Sequence, residues 1–275
     1  MAPAEASRRD RPVNPVCQAR NVSYQIGRRT LIQDVDLLIE SGSFTIIIGP
    51  NGAGKSTFLR ILCGELTPSR GEVVINGVAL PTIPAWRLAH MRAVMPQASE
   101  LGFPFTAFEV VRLGVEGIGH DLSRVQRLHL VFDALEEADV AHLADQNYQS
   151  LSGGERQRVH FARVLAQLAA GRTLEKQQIL FLDEPIASLD LKHQLALLNK
   201  ARNLTRNGVT VVAVLHDLQL AAEYGDTLVL MRAGRLSARG SADSVLTADK
   251  LSEVFGIRLL GTSFPTCPWT LQLKR

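Results

Sequence analysis

The chain has 275 residues, of which 46% are hydrophobic, and its formal net charge is +3. A chain of this length can bury a substantial core as one large domain or two small ones. With 30 basic and 27 acidic side chains and no long block of like charge, the composition does not argue for a nucleic-acid partner. No 18 apolar residues run together, so the sequence predicts no membrane-spanning helix.

The cysteines predict the redox compartment of the protein, and the two ends of the chain predict the limits of its folded domain. Cys17, Cys63 and Cys267 are far apart and odd in number, which predicts reduced thiols in a cytosolic protein. Residues 1–15 are rich in Ala, Pro and Arg without an apolar segment, which favours a disordered tail over a signal peptide. The folded domain is expected to span residues 16–260, followed by a C-terminal tail at 261–275.

Three short apolar runs predict buried parallel strands. They occupy residues 44–48, 179–182 and 210–215. Each is followed by a glycine-rich or acidic turn and then a helical pattern, as a doubly wound α/β sheet requires.

The other elements are predicted to surround that sheet. Hairpin signals at Asn76-Gly77 and Ala233-Gly234 predict antiparallel β-structure. From about residue 83 to 170 helical periodicity replaces the strand signal, which predicts a helical subdomain inserted into the α/β core. The pattern of residues 241–256 predicts two short helices, the second of which begins at Thr247.

The first predicted strand runs into a loop that matches G-x-x-x-x-G-K-[ST] between a strand and a helix. Its glycines let backbone N–H groups turn inward around an anion, and the following helix adds its positive N-terminus. Lys55 is expected to reach the β- and γ-phosphates of a nucleotide, and the Ser56 hydroxyl to ligate Mg²⁺. The predicted nucleotide-binding loop consists of Gly49, Pro50, Asn51, Gly52, Ala53, Gly54, Lys55, Ser56 and Thr57.

Two adjacent carboxylates end the strand at 179–182. Charges at the end of a buried strand are costly unless cations compensate them. Mg²⁺ would provide that compensation for Asp183, through water. Glu184 should point to the opposite side, toward a hydrolytic water, and is the candidate general base.

Residues 151–157, with the sequence LSGGERQ, open a predicted helix. A hydroxyl and free N–H groups at a helix N-terminus can bind an anion, although Ser152 alone could simply cap the helix. Combined with the two preceding motifs, this segment resembles the signature of the ABC (ATP-binding cassette) ATPases. The resemblance covers about residues 17–246 and implies that four signature residues bind nucleotide, namely Ser152, Gly153, Gly154 and Glu155.

The resemblance implies roles for single residues elsewhere. Tyr24 sits where the family has an aromatic residue that stacks on adenine. Gln97 matches the glutamine that joins the two subdomains and contacts Mg²⁺ or the attacking water. Residues 188–190 resemble the loop that communicates across the dimer, and His216 matches the histidine that contacts the γ-phosphate. Ile186 departs from the family, which usually has Thr there; this removes a hydroxyl but no catalytic group, so activity should survive.

The resemblance also implies an assembly. In the family, the signature of one protomer covers ATP held by the other protomer's phosphate loop, so two ATP molecules join a homodimer and hydrolysis releases it. The dimer is expected to drive a separate, two-copy membrane permease from the cytoplasmic face of a bacterial inner membrane, as a peripheral protein. A periplasmic substrate-binding protein would be an indirect partner.

Resemblances of shorter segments to particular groups of importers indicate the cargo. Residues 94–114 and 216–222 are similar to importers of iron chelates, haem and vitamin B12. Residues 187–194 and the spacer 171–178 look most like the haem (hemin) importers. Ferric siderophores and vitamin B12 remain the alternatives within that group.

Other classes of protein share a phosphate-binding loop. ABC-type ATPases that act on DNA or the ribosome carry long coiled coils or two cassettes per chain, and this sequence shows neither. A kinase or GTPase would leave residues 151–157 without a role. A subunit that exports lipid or releases lipoproteins is the nearest rival within the family.

Overall fold

The computed structural model of the chain describes residues 15–97 and 102–256. The expected C-terminal tail at 261–275, Cys267 and all but the last residue of the expected N-terminal tail lie outside the described residues. Pro15, which the sequence assigns to that tail, is instead the first residue of a strand. It joins the strand because its position opposite Glu40 at the end of a ladder does not require an N–H donor.

Ten strands are present in the described part of the chain. They are β1 (Pro15–Ile26), β2 (Arg29–Glu40), β3 (Phe44–Ile48), β4 (Arg70–Ile75), β5 (Val78–Ala79), β6 (Arg92–Met95), β7 (Ile179–Asp183), β8 (Thr210–Val214), β9 (Thr227–Arg232) and β10 (Arg235–Gly240). The nine α-helices of the same residues are α1 (Lys55–Leu62), α2 (Ala85–Met91), α3 (Ala107–Glu116), α4 (Arg124–Glu137), α5 (Gly153–Gly171), α6 (Leu191–Arg206), α7 (Leu218–Tyr224), α8 (Ala242–Val245) and α9 (Ala248–Phe255).

The strands form two sheets. An antiparallel sheet has the order β2-β1-β4-β5, and a second sheet has the order β10-β9-β3-β8-β7-β6. In the second sheet all neighbours are parallel except β9 and β10. The predicted parallel core, both predicted hairpins and the two short helices after residue 241 are therefore confirmed.

The parallel sheet separates two apolar cores, because successive side chains of a strand point to opposite faces. Along β3, Ile46 and Ile48 contact a core that includes the helices of the inserted region. Ile47 between them faces a second core, shared with α1 and the antiparallel sheet. β3, β7 and β8 are buried along their whole length, which explains their continuous apolar sequences.

The region from 83 to 170 is mainly helical, but the expectation that it lacks strands is wrong. β6 lies inside it and forms the edge of the parallel sheet beside β7. Its four residues, RAVM, are too few to show a period, and its pairing partner is about 87 residues away in sequence (92 with 179). The helical periodicity predicted for this region is present in α5, where Phe161, Val164, Leu165 and Leu168 are all buried.

Among the helices of residues 15–97 and 102–256, none has both the length and the apolarity needed to cross a bilayer.

Candidate nucleotide-binding and hydrolysis site

The glycine-rich loop joins β3 to α1. Gly54 precedes the first turn of α1 with φ +97°, and no side chain caps this helix. The N–H groups at the start of α1 therefore remain available to an anion. Gly49 must be glycine, because a Cβ there would lie 2.3 Å from the carbonyl oxygen of Met231.

Lys55 folds back over this loop. Its Nζ donates to the carbonyl oxygens of Gly49 at 2.9 Å and Pro50 at 3.0 Å. The side chain is buried, and burial lowers the pKa of Lys55, while the carboxylates of Glu184 and Asp183 act in the opposite direction. A cation held only by neutral carbonyls inside an anion-binding loop can exchange those carbonyls for phosphate oxygens.

Ser56 and Asp183 face each other across the loop. The Ser56 hydroxyl donates to Asp183 Oδ1 at 2.9 Å. Burial raises the pKa of Asp183, although the hydrogen bond from Ser56 opposes that shift. A hydroxyl and a buried carboxylate oxygen are hard oxygen donors that suit Mg²⁺, and a cation would relieve the cost of burying the carboxylate. These two residues therefore fit a magnesium site.

Glu184 has different hydrogen-bond partners from Asp183. Its Oε1 lies 2.6 Å from Nε2 of His216, and its Oε2 accepts from Nε2 of Gln97 at 2.8 Å. Its backbone is left-handed, with φ +48°. A non-glycine residue in this conformation is costly and is retained where its surroundings fix it. The three predicted catalytic residues thus form one hydrogen-bonded group.

A cleft of about 740 Å³ connects these groups. Its walls include Asn51, Gly52, Gly54, Lys55, Ser56, Thr57, Gln97, Glu184 and His216. The structure therefore brings together predicted site residues that lie as much as about 165 positions apart in the sequence (51 to 216).

Five further residues of the cleft wall were missed by sequence reasoning. They are Arg29, Thr30, Leu31, Ala233 and Gly234. The Gly234 N–H donates to the carbonyl oxygen of Ala53, and its carbonyl accepts from Gln33 N, so the β9–β10 turn is fixed between the phosphate loop and β2. The dipeptide at 233–234 signalled a turn, but no local pattern shows what a turn will contact.

Tyr24 is not among the residues that line this cleft. It lies half-buried in β1 and is paired with Ile32 of β2. The three residues that precede Ile32 in β2, Arg29 to Leu31, line the cleft. The predicted stacking of Tyr24 on adenine stays a prediction.

The signature residues lie outside the cleft lining as well. Ser152 caps α5: its hydroxyl accepts from Glu155 N, and Glu155 Oε2 accepts from both the N–H and the hydroxyl of Ser152. These bonds lower the pKa of Glu155. Gly153 and Gly154 approach Ser188, and a Cβ on Gly154 would lie 3.1 Å from the Ser188 carbonyl oxygen. Ser152 and Gly153 are exposed, so this helix N-terminus can contact a second molecule.

The chain resembles known proteins in sequence and structure. The family model described as ABC transporter matches residues 32–187. The Hemin import ATP-binding protein HmuV of Rhizobium meliloti (strain 1021) is 43% identical over 242 residues, covering 88% of this chain and 92% of that protein. The protein of the same name from Ruegeria sp. (strain TM1040) is 45% identical over 241 residues, covering 88% and 91%.

Among solved structures, the dimeric post-hydrolysis state of the ATP-binding cassette MJ0796 bound to ADP and Pi is 28% identical, with a TM-score of 0.72. That match covers 82% of this chain and 98% of the other. The fold, the phosphate loop and these matches agree: the chain belongs to the ABC transporter family, as one of its ATP-binding cassettes.

Proposed function

We propose that the chain binds ATP with Mg²⁺ in the cleft at the phosphate loop and hydrolyses it to drive the import of hemin through a separate permease. The observation that carries the enzymatic part is the position of Glu184, held between Gln97 and His216 on the wall that also contains Lys55 and Ser56. A carboxylate, a donor and a phosphate-binding cation around one cleft are what phosphoryl transfer to water requires.

In this proposal, different residues of the cleft bind the phosphates, hold Mg²⁺ and accept a proton. Lys55 and the N–H groups of the loop from Gly49 to Thr57 hold the phosphates and neutralise their charge. Mg²⁺, held by Ser56 and Gln97 and by Asp183 through water, would supply further positive charge at the phosphate oxygens. Glu184 accepts the proton of the attacking water.

His216 is expected to orient the attacking water and to contact the γ-phosphate. An ionised carboxylate can only accept, so with Glu184 in that form Nε2 of His216 is the donor of the contact between these two side chains.

The working unit in this proposal is a homodimer. The signature residues Ser152 to Glu155 are at an exposed helix N-terminus and do not line the chain's own cleft, which leaves them for a nucleotide bound by a second copy. The related cassette MJ0796 is dimeric in its post-hydrolysis state, which supports the same arrangement here. Two copies would act beneath a two-copy permease at the cytoplasmic face of the inner membrane, with a periplasmic binding protein as an indirect partner.

The names of the relatives support hemin as the cargo. Proteins named as hemin import ATP-binding proteins are 41–45% identical and cover most of the chain. A cargo that passes through a permease would leave no binding site on this subunit, so the cleft residues do not discriminate among hemin, ferric siderophores and vitamin B12.

Two measurements test this proposal. The purified full chain should hydrolyse ATP only with Mg²⁺, and a chain that never hydrolyses ATP would refute the enzymatic part. For cargo, deleting the gene in its host should abolish growth on hemin as the only iron source, and the unsubstituted chain, but not Glu184→Gln, should restore it. Normal growth on hemin with failure on a ferric siderophore or vitamin B12 would assign the other cargo.

A further inference from the structure

Gln157 connects the signature helix to the backbone of Glu184. It lies in α5, one turn after Gly153, and its side chain is half-buried. Its Nε2 donates to the carbonyl oxygen of Glu184 at 3.0 Å, and its Oε1 accepts from Ser188 N at 3.3 Å. Both ends of one amide therefore hold the loop that follows β7.

The peptide groups on both sides of Glu184 are fixed by these contacts. The Glu184 N–H donates to the carbonyl oxygen of Val214 in β8 at 3.2 Å. Its carbonyl oxygen accepts from Gln157 and, at 3.3 Å, from Ala187 N. Because φ of Glu184 is +48°, a less favourable conformation, loss of a fixing contact should let the backbone relax and turn the carboxylate.

A second glutamine holds the far end of the same loop. Gln194 of α6 donates from Nε2 to the carbonyl oxygens of Leu189 at 2.9 Å and Ile186 at 3.3 Å. Gln194 thus fixes the end of the loop near α6, whereas Gln157 alone of the two contacts Glu184. Of these two glutamines, Gln157 is therefore the one that fixes the peptide group of Glu184, whose carboxylate is held in turn by Gln97 and His216.

We propose that Gln157 is a positioning residue for ATP hydrolysis: through the Glu184 carbonyl it keeps the carboxylate pointed at the cleft. The inference rests on the proposed function, since it concerns the proposed base. Gln157 would not contact ATP, so its loss should lower kcat and leave nucleotide affinity unchanged. A misplacement of a reacting group by about 1 Å can cost about a hundredfold in rate.

The test compares three variants of the full chain. Gln157→Leu removes both hydrogen bonds at similar volume. Gln167→Leu is the matched control: Gln167 is also a half-buried glutamine of α5 that donates to two backbone carbonyls, those of Ala89 and Arg92, but it does not contact the loop after β7. Gln157→Glu keeps the shape and the acceptor but, when ionised, cannot donate to the Glu184 carbonyl.

We expect Gln157→Leu to lower kcat by about ten- to a hundredfold with the KM for ATP unchanged within about twofold, and Gln167→Leu to retain kcat even if it unfolds at a lower temperature. For Gln157→Glu, the ratio of its kcat to that of the unsubstituted chain should rise as pH falls. Protonation of the new carboxyl group restores a donor, and the facing carbonyl favours that protonated form.

The outcomes separate the two proposals. If the unsubstituted chain does not hydrolyse ATP, both the proposed function and this inference fail. If it does, equal losses of kcat in the two leucine variants, or a pH-independent ratio for Gln157→Glu, overturn the positioning role alone. A raised KM with normal kcat would also overturn it, because that pattern indicates a binding role.

Discussion

Glu184 and His216 are joined by a 2.6 Å contact between Oε1 and Nε2, although they belong to different strand ends, those of β7 and β8. Because β7 and β8 are parallel neighbours, their carboxyl ends meet at one edge of the sheet. The other oxygen of Glu184 accepts from Gln97, which follows β6 on the far side of β7. Three successive strands of the sheet thus each deliver one residue of the same hydrogen-bonded group.

Replacing the proposed base should separate binding from hydrolysis. Glu184→Gln is expected to bind ATP with Mg²⁺ normally, to hydrolyse it at least about a hundredfold more slowly, and to elute as a dimer in gel filtration with ATP. Lys55, Ser56 and Asp183 are unchanged, so the phosphate contacts survive. Glu136→Gln, an exposed substitution in α4, is the control and should retain full turnover. A variant that stays monomeric in ATP would contradict this mechanism.

Removing the lysine of the phosphate loop should weaken the binding of ATP. Lys55→Ala deletes a buried cation whose partners in the structure are two carbonyls of the phosphate loop. A charge-assisted hydrogen bond contributes about 1.5–3 kcal/mol, so Kd for ATP should rise by roughly tenfold to a hundredfold in titration calorimetry. Lys192→Ala, an exposed change at the start of α6, should leave Kd unaltered. Equal affinities for both variants would refute the role of Lys55.

Asp183→Asn should stabilise the ligand-free chain while removing the response to Mg²⁺. Burial raises the pKa of Asp183, so the folded state prefers the protonated acid and loses stability when the carboxylate ionises. That loss begins as pH rises above the ordinary value of 3.8 and is complete once pH exceeds the raised folded-state pKa.

At neutral pH the asparagine variant should therefore unfold at a higher temperature than the unsubstituted chain. ATP with Mg²⁺ should raise the midpoint of the unsubstituted chain but affect the variant little. Asp121→Asn, at an exposed position, should change neither quantity. A lower midpoint for Asp183→Asn would show that its carboxylate is compensated within the protein.

Restoring the family's usual residue at 186 should weaken the fold without improving catalysis. Ile186 is 7% exposed and belongs to the apolar core beneath the helices. Ile186→Thr would place a hydroxyl in that core and cost about 1–3 kcal/mol of unfolding free energy, measured in urea. We expect kcat to change by less than about twofold, since no hydrogen bond of the catalytic group involves this side chain. A large gain in kcat would show that the missing hydroxyl matters.

The dimer can be tested by crosslinking a phosphate loop to a signature. The substitutions Asn51→Cys and Ser152→Cys place thiols at two exposed positions. Burial raises the pKa of Cys17 to about 12 and of Cys63 to about 11, so neither native thiol should react, and Cys267→Ser removes the third.

In the Glu184→Gln background, oxidation should link two chains only when ATP and Mg²⁺ are present. Each single-cysteine chain serves as the control and should stay unlinked. If no covalent dimer forms in any nucleotide state, the proposed sandwich is wrong.

Local patterns predicted those parts of the fold that depend on local chemistry. The phosphate loop needs glycines and a lysine at fixed spacing, and the buried strands need continuous apolar runs, so both were recognised. β6 was missed because its four residues become a strand only through pairing with β7. Gln157 and Gly234 lie in recognised motifs, but their contacts with Glu184 and Ala53 were missed for the same reason, because these contacts depend on tertiary packing.

The β9–β10 turn has a consequence for how the protein is made. Gly234 bonds to Ala53, and Met231 lies against Gly49, so a loop made early in synthesis is held by a turn made about 180 residues later (53 to 234). On the ribosome, the emerging N-terminal segment has its glycines and lysine but lacks the backbone that fixes them. The nascent chain is therefore expected to bind a nucleoside triphosphate only after the final third of the cassette has left the exit tunnel.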